Sequence, residues 1–243
     1  MRPVLPVLAL LLAASAGANA LAAGCEAVSR PQLTPVIELY TSEGCSSYPP
    51  ADHWLSGLKP AAAEGRVVPM AFHVGYWDQL GWADRFALAA GTTRQREIAA
   101  ANKLGSIYTP QLVRNGQDWR DYDSALLLRP EPARARIRLM QSQPDLVEAT
   151  VDPAEPAQAW TAYWTVTEDG HSSKVKAGEN AGEFLKHDFV VRQYVPTGPR
   201  TGPQALQLRL VARDGAAPRA TNLVVVDAKT LRPLQALSLS CPA

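Results

Sequence analysis

The chain has 243 residues, with 24 Lys and Arg against 23 Asp and Glu, 47% apolar residues and three cysteines. Its charges are scattered and balanced, which excludes the basic stripe a nucleic-acid partner needs, and the apolar fraction excludes wholesale disorder. Three cysteines are too few for a disulfide scaffold, and the length suffices for one large domain or two modest ones.

Residues 1–20 read as a secretory signal peptide: Arg2 is the positive start, residues 4–14 are the Leu/Ala-rich stretch, and Ala18-Asn19-Ala20 offers the small residues a signal peptidase inspects. The stretch is short for a bilayer and no second one follows, so no transmembrane segment is expected. The chain is expected to be exported, periplasmic or secreted. The segment Leu21-Ala22-Ala23-Gly24-Cys25 loosely resembles a lipoprotein cleavage site with Cys25 as lipid acceptor, but its leucine stands one place too far upstream. That reading ranks second. Disulfides persist in an oxidising compartment, and chain termini often lie close together. A structural disulfide between Cys25 and Cys241 is therefore expected, leaving Cys45 as a free thiol.

Val36–Thr41 is a β-leaning run ending in the turn-prone Ser42-Glu43-Gly44. From Ala51, apolar residues at Trp54, Leu55 and Leu58 keep the spacing of one helical face, with Pro60 weakening the helix and Gly65 as its latest end. Residues 67–74 predict a second strand, with Pro69 the one discord. Residues 84–104 predict a helix, 108–114 a strand closed by the Asn115-Gly116 turn, and 119–122 a fourth strand. Residues 124–141 predict another helix, regular only past Pro130 and Pro132. This β-α-β-α-β-β-α order implies an α/β layer structure over 31–143. Beyond Pro144, short β-leaning runs at 146–151, 159–166, 172–175, 187–195, 206–212, 223–226 and 234–239 predict a β-rich, sandwich-like domain over 145–240. Residues 180–185 hint at a single helical turn.

The chemistry concentrates where the first strand turns through Cys45 into the first helix. Orphan N–H groups and the positive end of the helix dipole favour a thiolate there, and the thiolate is the nucleophile. The second part is Thr109-Pro110, directly before the third strand. A proline that removes a ladder donor there needs a special reason, and a cis peptide is one. In this β-α-β context the arrangement resembles the thioredoxin fold, whose cis-proline loop lies against the active-site cysteine and presents backbone to a bound peptide.

Four segments narrow the resemblance: VIELYTSEGCSSYPPAD at 36–52, HVGYWDQLGWADRF at 73–86, YTPQ at 108–111, and GEN at 178–180 with HDFVVR at 187–192. Together they resemble a secreted bacterial family, domain of unknown function 1223, over nearly the whole mature chain. The resemblance implies a thioredoxin-like domain followed by a β-rich one. The family commonly carries Cys-Ser-Ser-Cys, whereas this chain has Cys45-Ser46-Ser47-Tyr48. Tyr48 cannot attack a mixed disulfide, so cycling between two thiols at this motif is in doubt.

Cys45 is thus read as a catalytic monothiol, with Tyr48, Glu43, Thr109 and Pro110 beside it. Its partner would be a protein thiol or a low-molecular-weight thiol. The competing expectation is a non-catalytic interaction module with a relic redox site. His73, Tyr76, Trp77, Asp78 and Trp82 are candidates to line a cleft, although Trp and Tyr at strand ends more often cap a core edge. Glu43 either raises the thiol's pKa by like charge or complements the helix dipole. The Gly178-Glu179-Asn180 segment reads first as a turn. Four histidines at 53, 73, 171 and 187 match no zinc spacing, so neither metal nor other cofactor is expected.

Overall fold

The computed structural model describes residues 25–46, 48–124, 129–213 and 215–242, with the side chains of Tyr48 and Pro49 outside that description. The segment expected as a signal peptide also lies outside the described residues. In chain order the elements are β1 (Glu26–Val28), β2 (Val36–Thr41), α1 (Tyr48–Ser56), α2 (Lys59–Ala63), β3 (Val68–His73), a 3-10 helix (Gly75–Leu80), α3 (Ala89–Ala101), β4 (Gln111–Arg114) and β5 (Gln117–Trp119). Then come β6 (Ala135–Gln143), β7 (Leu146–Pro153), β8 (Trp160–Glu168), β9 (His171–Lys174), β10 (Phe184–His187), β11 (Val190–Pro196), β12 (Gln204–Arg209), β13 (Arg219–Asp227) and β14 (Pro233–Leu239).

β2 and β3 pair in parallel from Val36 opposite Val68 to Thr41 opposite His73. Every residue of both is buried, as their nearly continuous apolar character requires of strands covered on two faces. Ile37 and Leu39 pack with Ala51, Leu55, Leu58 and Ala61 of α1 and α2. Val36 and Tyr40, on the opposite face, pack with Ile98 of α3. Pro69 fits because Ala71, two residues on, donates its N–H to Phe189 at the start of β11. Period-two geometry aims position 69 to the same side, before β11 begins to pair, so no ladder bond is lost. Asn115 (φ 48°) and Gly116 (φ 76°) make the tight turn that folds β5 back on β4.

These strands belong to one eight-stranded mixed sheet in the order β14-β13-β8-β11-β3-β2-β4-β5. A four-stranded sheet, β1-β6-β7-β12, packs against its β8-β13-β14 end. Ile137, Leu139, Val147, Val151 and Leu208 meet Trp160, Trp164, Leu223, Val225 and Leu234 in the core between them. Cys25 and Cys241 are joined by a disulfide, with Cα atoms 5.7 Å apart. On the chain-entropy model, closing so long a loop stabilises the fold by about 5 kcal/mol.

The expected α/β thioredoxin-like fold followed by a sandwich-like domain is not what the chain adopts. Among the described residues fourteen strands stand against three α-helices and one 3-10 helix, and the large sheet draws strands from both halves of the chain. The physical reason is an edge: β3 would expose unpaired backbone groups, and β11 covers them in parallel, Val190 opposite Ala71. The helix expected at 124–141 is also corrected, since β6 occupies Ala135–Gln143. Ala135, Ile137 and Leu139 are buried while Arg136 and Arg138 are exposed, a period of two that overrides helix propensity once β7 and β1 pair on either side. The helical turn expected at 180–185 gives way to β10 from Phe184.

Candidate functional site

Beyond Thr41 the chain turns sharply: Cys45 N–H donates to Ser42 O at 3.1 Å and Gly44 N–H to Ser42 Oγ at 3.2 Å. Gly44 permits a close approach, because a Cβ there would stand 3.1 Å from Trp77 Cβ. The turn delivers Cys45 just ahead of α1. The residue is 5% exposed and packs with Val175 and Leu185, with Trp77 and Trp82 against the cluster. Its thiol donates to Thr109 O over 3.8 Å, and the Thr109–Pro110 peptide is cis. Trp77 Nε1 donates to Thr109 Oγ1 at 2.7 Å, which ties the tryptophan to the proline loop.

The turn between β9 and β10 holds this loop from the far side. Asn180 Nδ2 donates to the carbonyls of Glu43 (2.8 Å) and Cys45 (2.9 Å). One oxygen of Glu179 accepts from both Ser46 N–H and Ser46 Oγ at 2.9 Å, which ties the segment just ahead of α1 to a turn 133 residues away. These hydrogen bonds hold the Glu179 carboxylate below its usual pKa.

Glu43 directs its carboxylate to other partners. Trp82 Nε1 donates to Oε2 at 2.7 Å, and His187 Nε2 lies 2.9 Å from Oε1. His187 Nδ1 lies 3.0 Å from Asp52 Oδ2. Burial alone would lower the His187 pKa, but Asp52 and Glu43 outweigh it and push it up to about 9, so the imidazolium bridges two carboxylates at neutral pH. Burial likewise raises Glu43, and hydrogen bonds from His187, Ser173 and Trp82 more than reverse this. Nearby, His73 Nδ1 lies 2.7 Å from Asp84 Oδ2. Asp84 also accepts from the Glu43 N–H, and its pKa is lowered against the effect of burial by His73 and two backbone donors. Phe86 sits among three histidines, with ring centroids 5.3 Å from His73, 5.0 Å from His171 and 5.4 Å from His187.

The structure therefore brings together Cys45, Glu43, Thr109, Pro110, Trp77 and Trp82. Tyr48 opens α1, and its side chain lies outside the described residues. Tyr76 and Asp78 are engaged within the scaffold: Tyr76 bonds Gln95 at 3.3 Å, and Asp78 accepts from the Asp84 N–H at 3.2 Å. His73 is buried in its pair with Asp84. Sequence reasoning missed the roles of His187 and Asp52, and of Glu179 and Asn180 as latches. The HDFVVR and GEN segments flag these residues, but no spacing links position 187 to 43 or 179 to 46.

The fold is a predominantly β architecture with a buried thiol at the carboxyl end of its central parallel pair. A family model described as "Protein of unknown function (DUF1223)" matches residues 36–227, and the chain belongs to that family. A crystal structure of protein AGR_C_4864 from Agrobacterium tumefaciens is similar at a TM-score of 0.66 and 24% identity, covering 87% of this chain and 96% of that one. At that identity the likeness speaks for the fold alone. No curated protein matches the chain. Among the described residues no helix is long and apolar enough to cross a membrane.

Proposed function

We propose that this is an exported protein that works through a single thiol, exchanging Cys45 with a partner disulfide. The observation that carries the reading is the position of Cys45 Sγ, ahead of α1 and 3.8 Å from Thr109 O, on the one described cysteine that the Cys25–Cys241 bond leaves reduced. The Cys45 thiolate attacks one sulfur of a partner disulfide, forming a mixed disulfide and releasing the other sulfur as a thiolate. A low-molecular-weight thiol such as glutathione then attacks the partner's sulfur in that bond. This regenerates the Cys45 thiolate and leaves the partner joined to the small thiol. The exchange requires Trp77 or Trp82 to yield, since Cys45 is only 5% exposed.

That same burial favours a second reading, a non-catalytic interaction module in which Cys45 merely fills the space beside Val175 and Leu185. Alkylation of the native protein across pH separates the two, with Cys45→Ser as the blank. The exchange reading expects labelling that levels off below the pH at which free cysteine ionises, and a glutathione adduct on Cys45 by mass spectrometry. Slow labelling that climbs only in alkali, with no adduct, leaves the interaction module standing.

A further inference from the structure

At the other end of the central sheet a cavity of about 460 Å³ opens where β4 turns into β5 beside β14. Arg114, the last residue of β4, lines it and is 4% exposed, with its guanidinium carbon 4.4 Å from the centroid of the Trp119 ring. Its Nε is shut off from solvent and has no hydrogen-bond partner among the described residues. Burial pulls its pKa below the usual arginine value, and the charge of Glu131 offsets only part of this. Buried charges are normally paired, because removing one from water without a counterion is costly. Arg134 and Arg232 line the same cavity and are exposed.

The cavity wall also carries two carboxylates, Asp227 and Glu131. Asp227 is already occupied: Oδ2 accepts from Gln158, and Oδ1 from the N–H groups of Lys229 and Thr230 and the Thr230 hydroxyl. Glu131 is exposed and makes no ion pair among the described residues. The donors to Asp227 are neutral and keep it ionised, so three arginines against two carboxylates leave one positive charge in excess.

We propose that this cavity binds a small anionic molecule whose oxyanion group faces the Arg114 guanidinium. The guanidinium presents a planar fork that fits the paired oxygens of a carboxylate or a phosphate, and Arg134 and Arg232 add to the positive potential of the cavity wall. Dicarboxylates and phosphates share this chemistry, so the test uses both. The melting temperature and calorimetric affinity of the whole exported chain are measured with succinate, with inorganic phosphate, and with sodium chloride at matched ionic strength. Saturable stabilisation by succinate or by phosphate, but not by chloride, is expected, and the anion that acts identifies the class. Arg114→Gln is expected to weaken that binding at least about tenfold, as loss of a charge-assisted hydrogen bond entails. Because Arg114 is buried, the exposed double variant Arg134→Ser/Arg232→Ser provides a check that leaves the core intact, with a loss of about tenfold expected. The proposal is overturned if neither anion stabilises the protein beyond chloride, or if the double variant binds as the parent does.

Discussion

Among the described residues two arginines are buried against the central sheet, and their surroundings differ in one respect. On the face covered by α3, Arg94 reaches Glu38 with two nitrogens, at 3.0 and 2.5 Å, and its guanidinium lies 3.9 Å from the centroid of the Tyr163 ring. Tyr40 and Tyr163 each donate a hydroxyl to the same carboxylate at 2.6 Å. At the β4–β5 end, Arg114 also stacks on an aromatic ring, but its Nε has no partner among the described residues and Glu131 acts on it through charge alone. Burial raises the Glu38 pKa, yet the charge and hydrogen bonds of Arg94 and the hydroxyls hold it below the ordinary range. The first cluster is closed and serves the fold. The second is open on one side, which is the form a binding site takes before its ligand arrives. The Cys45 end of the sheet resembles the Arg94 cluster, because Glu43, Asp52 and His187 compensate one another beneath the thiol.

The contrast is broken most directly by Arg94→Met. That change leaves Glu38 buried without its counterion and is expected to cost about 3–5 kcal/mol in urea unfolding. Converting both partners, Arg94→Met with Glu38→Leu, is expected to recover most of the loss. A single variant that unfolds like the parent would remove the distinction between closed and open clusters. The next effect is in pH. The folded His187 pKa of about 9 exceeds the ordinary 6.5, so its contribution is complete below pH 6.5 and is lost as pH rises through about 9, a span worth about 3 kcal/mol. Urea midpoints between neutral and alkaline pH should fall for the parent and stay flatter for His187→Gln. A parallel decline in both would assign the slope to other groups.

Arg114→Met sharpens the comparison by reversing its sign. In anion-free buffer this variant is expected to match the parent or exceed it by about 1 kcal/mol, because a buried charge that Glu131 only partly offsets is replaced by an apolar side chain. Destabilisation on the scale of the Arg94 variant would mean that Arg114 is structural after all. The smallest effect belongs to Glu179→Gln. Taking a negative charge from the start of α1 should speed alkylation of Cys45 by about two- to fivefold. An unchanged rate would show that the Glu179 charge does not act on the sulfur.

Local pattern alone located much of this molecule. Val36–Thr41 is β-leaning and apolar apart from Glu38 and Thr41, and Asn115-Gly116 favours positive φ, so β2 and the β4–β5 hairpin could be placed without knowing their neighbours. Cys45 stood out because it follows a strand and a turn and precedes a helix. β6 was misread because its arginines and alanine suit a helix, and the alternation of buried and exposed positions gains meaning only with β7 and β1 on its edges. The candidate site was half legible. Trp77 and Trp82 lie in the same short stretch and Thr109-Pro110 advertises itself, but the partners of Glu43 do not.

The sequence was enough to place several strands, β2 and the β4–β5 hairpin among them, and export with neighbouring termini pointed to which two cysteines join and which one remains a thiol. The folded arrangement alone settled that both halves share one sheet, that His187 closes on Glu43 and Asp52, and that Arg114 Nε is left without a hydrogen-bond partner among the described residues. The reason is that backbone preference and hydrophobic period act over a few residues. Strand pairing and charge compensation are instead chosen among all distant segments at once, by which combination leaves the fewest unpaired edges and charges away from water.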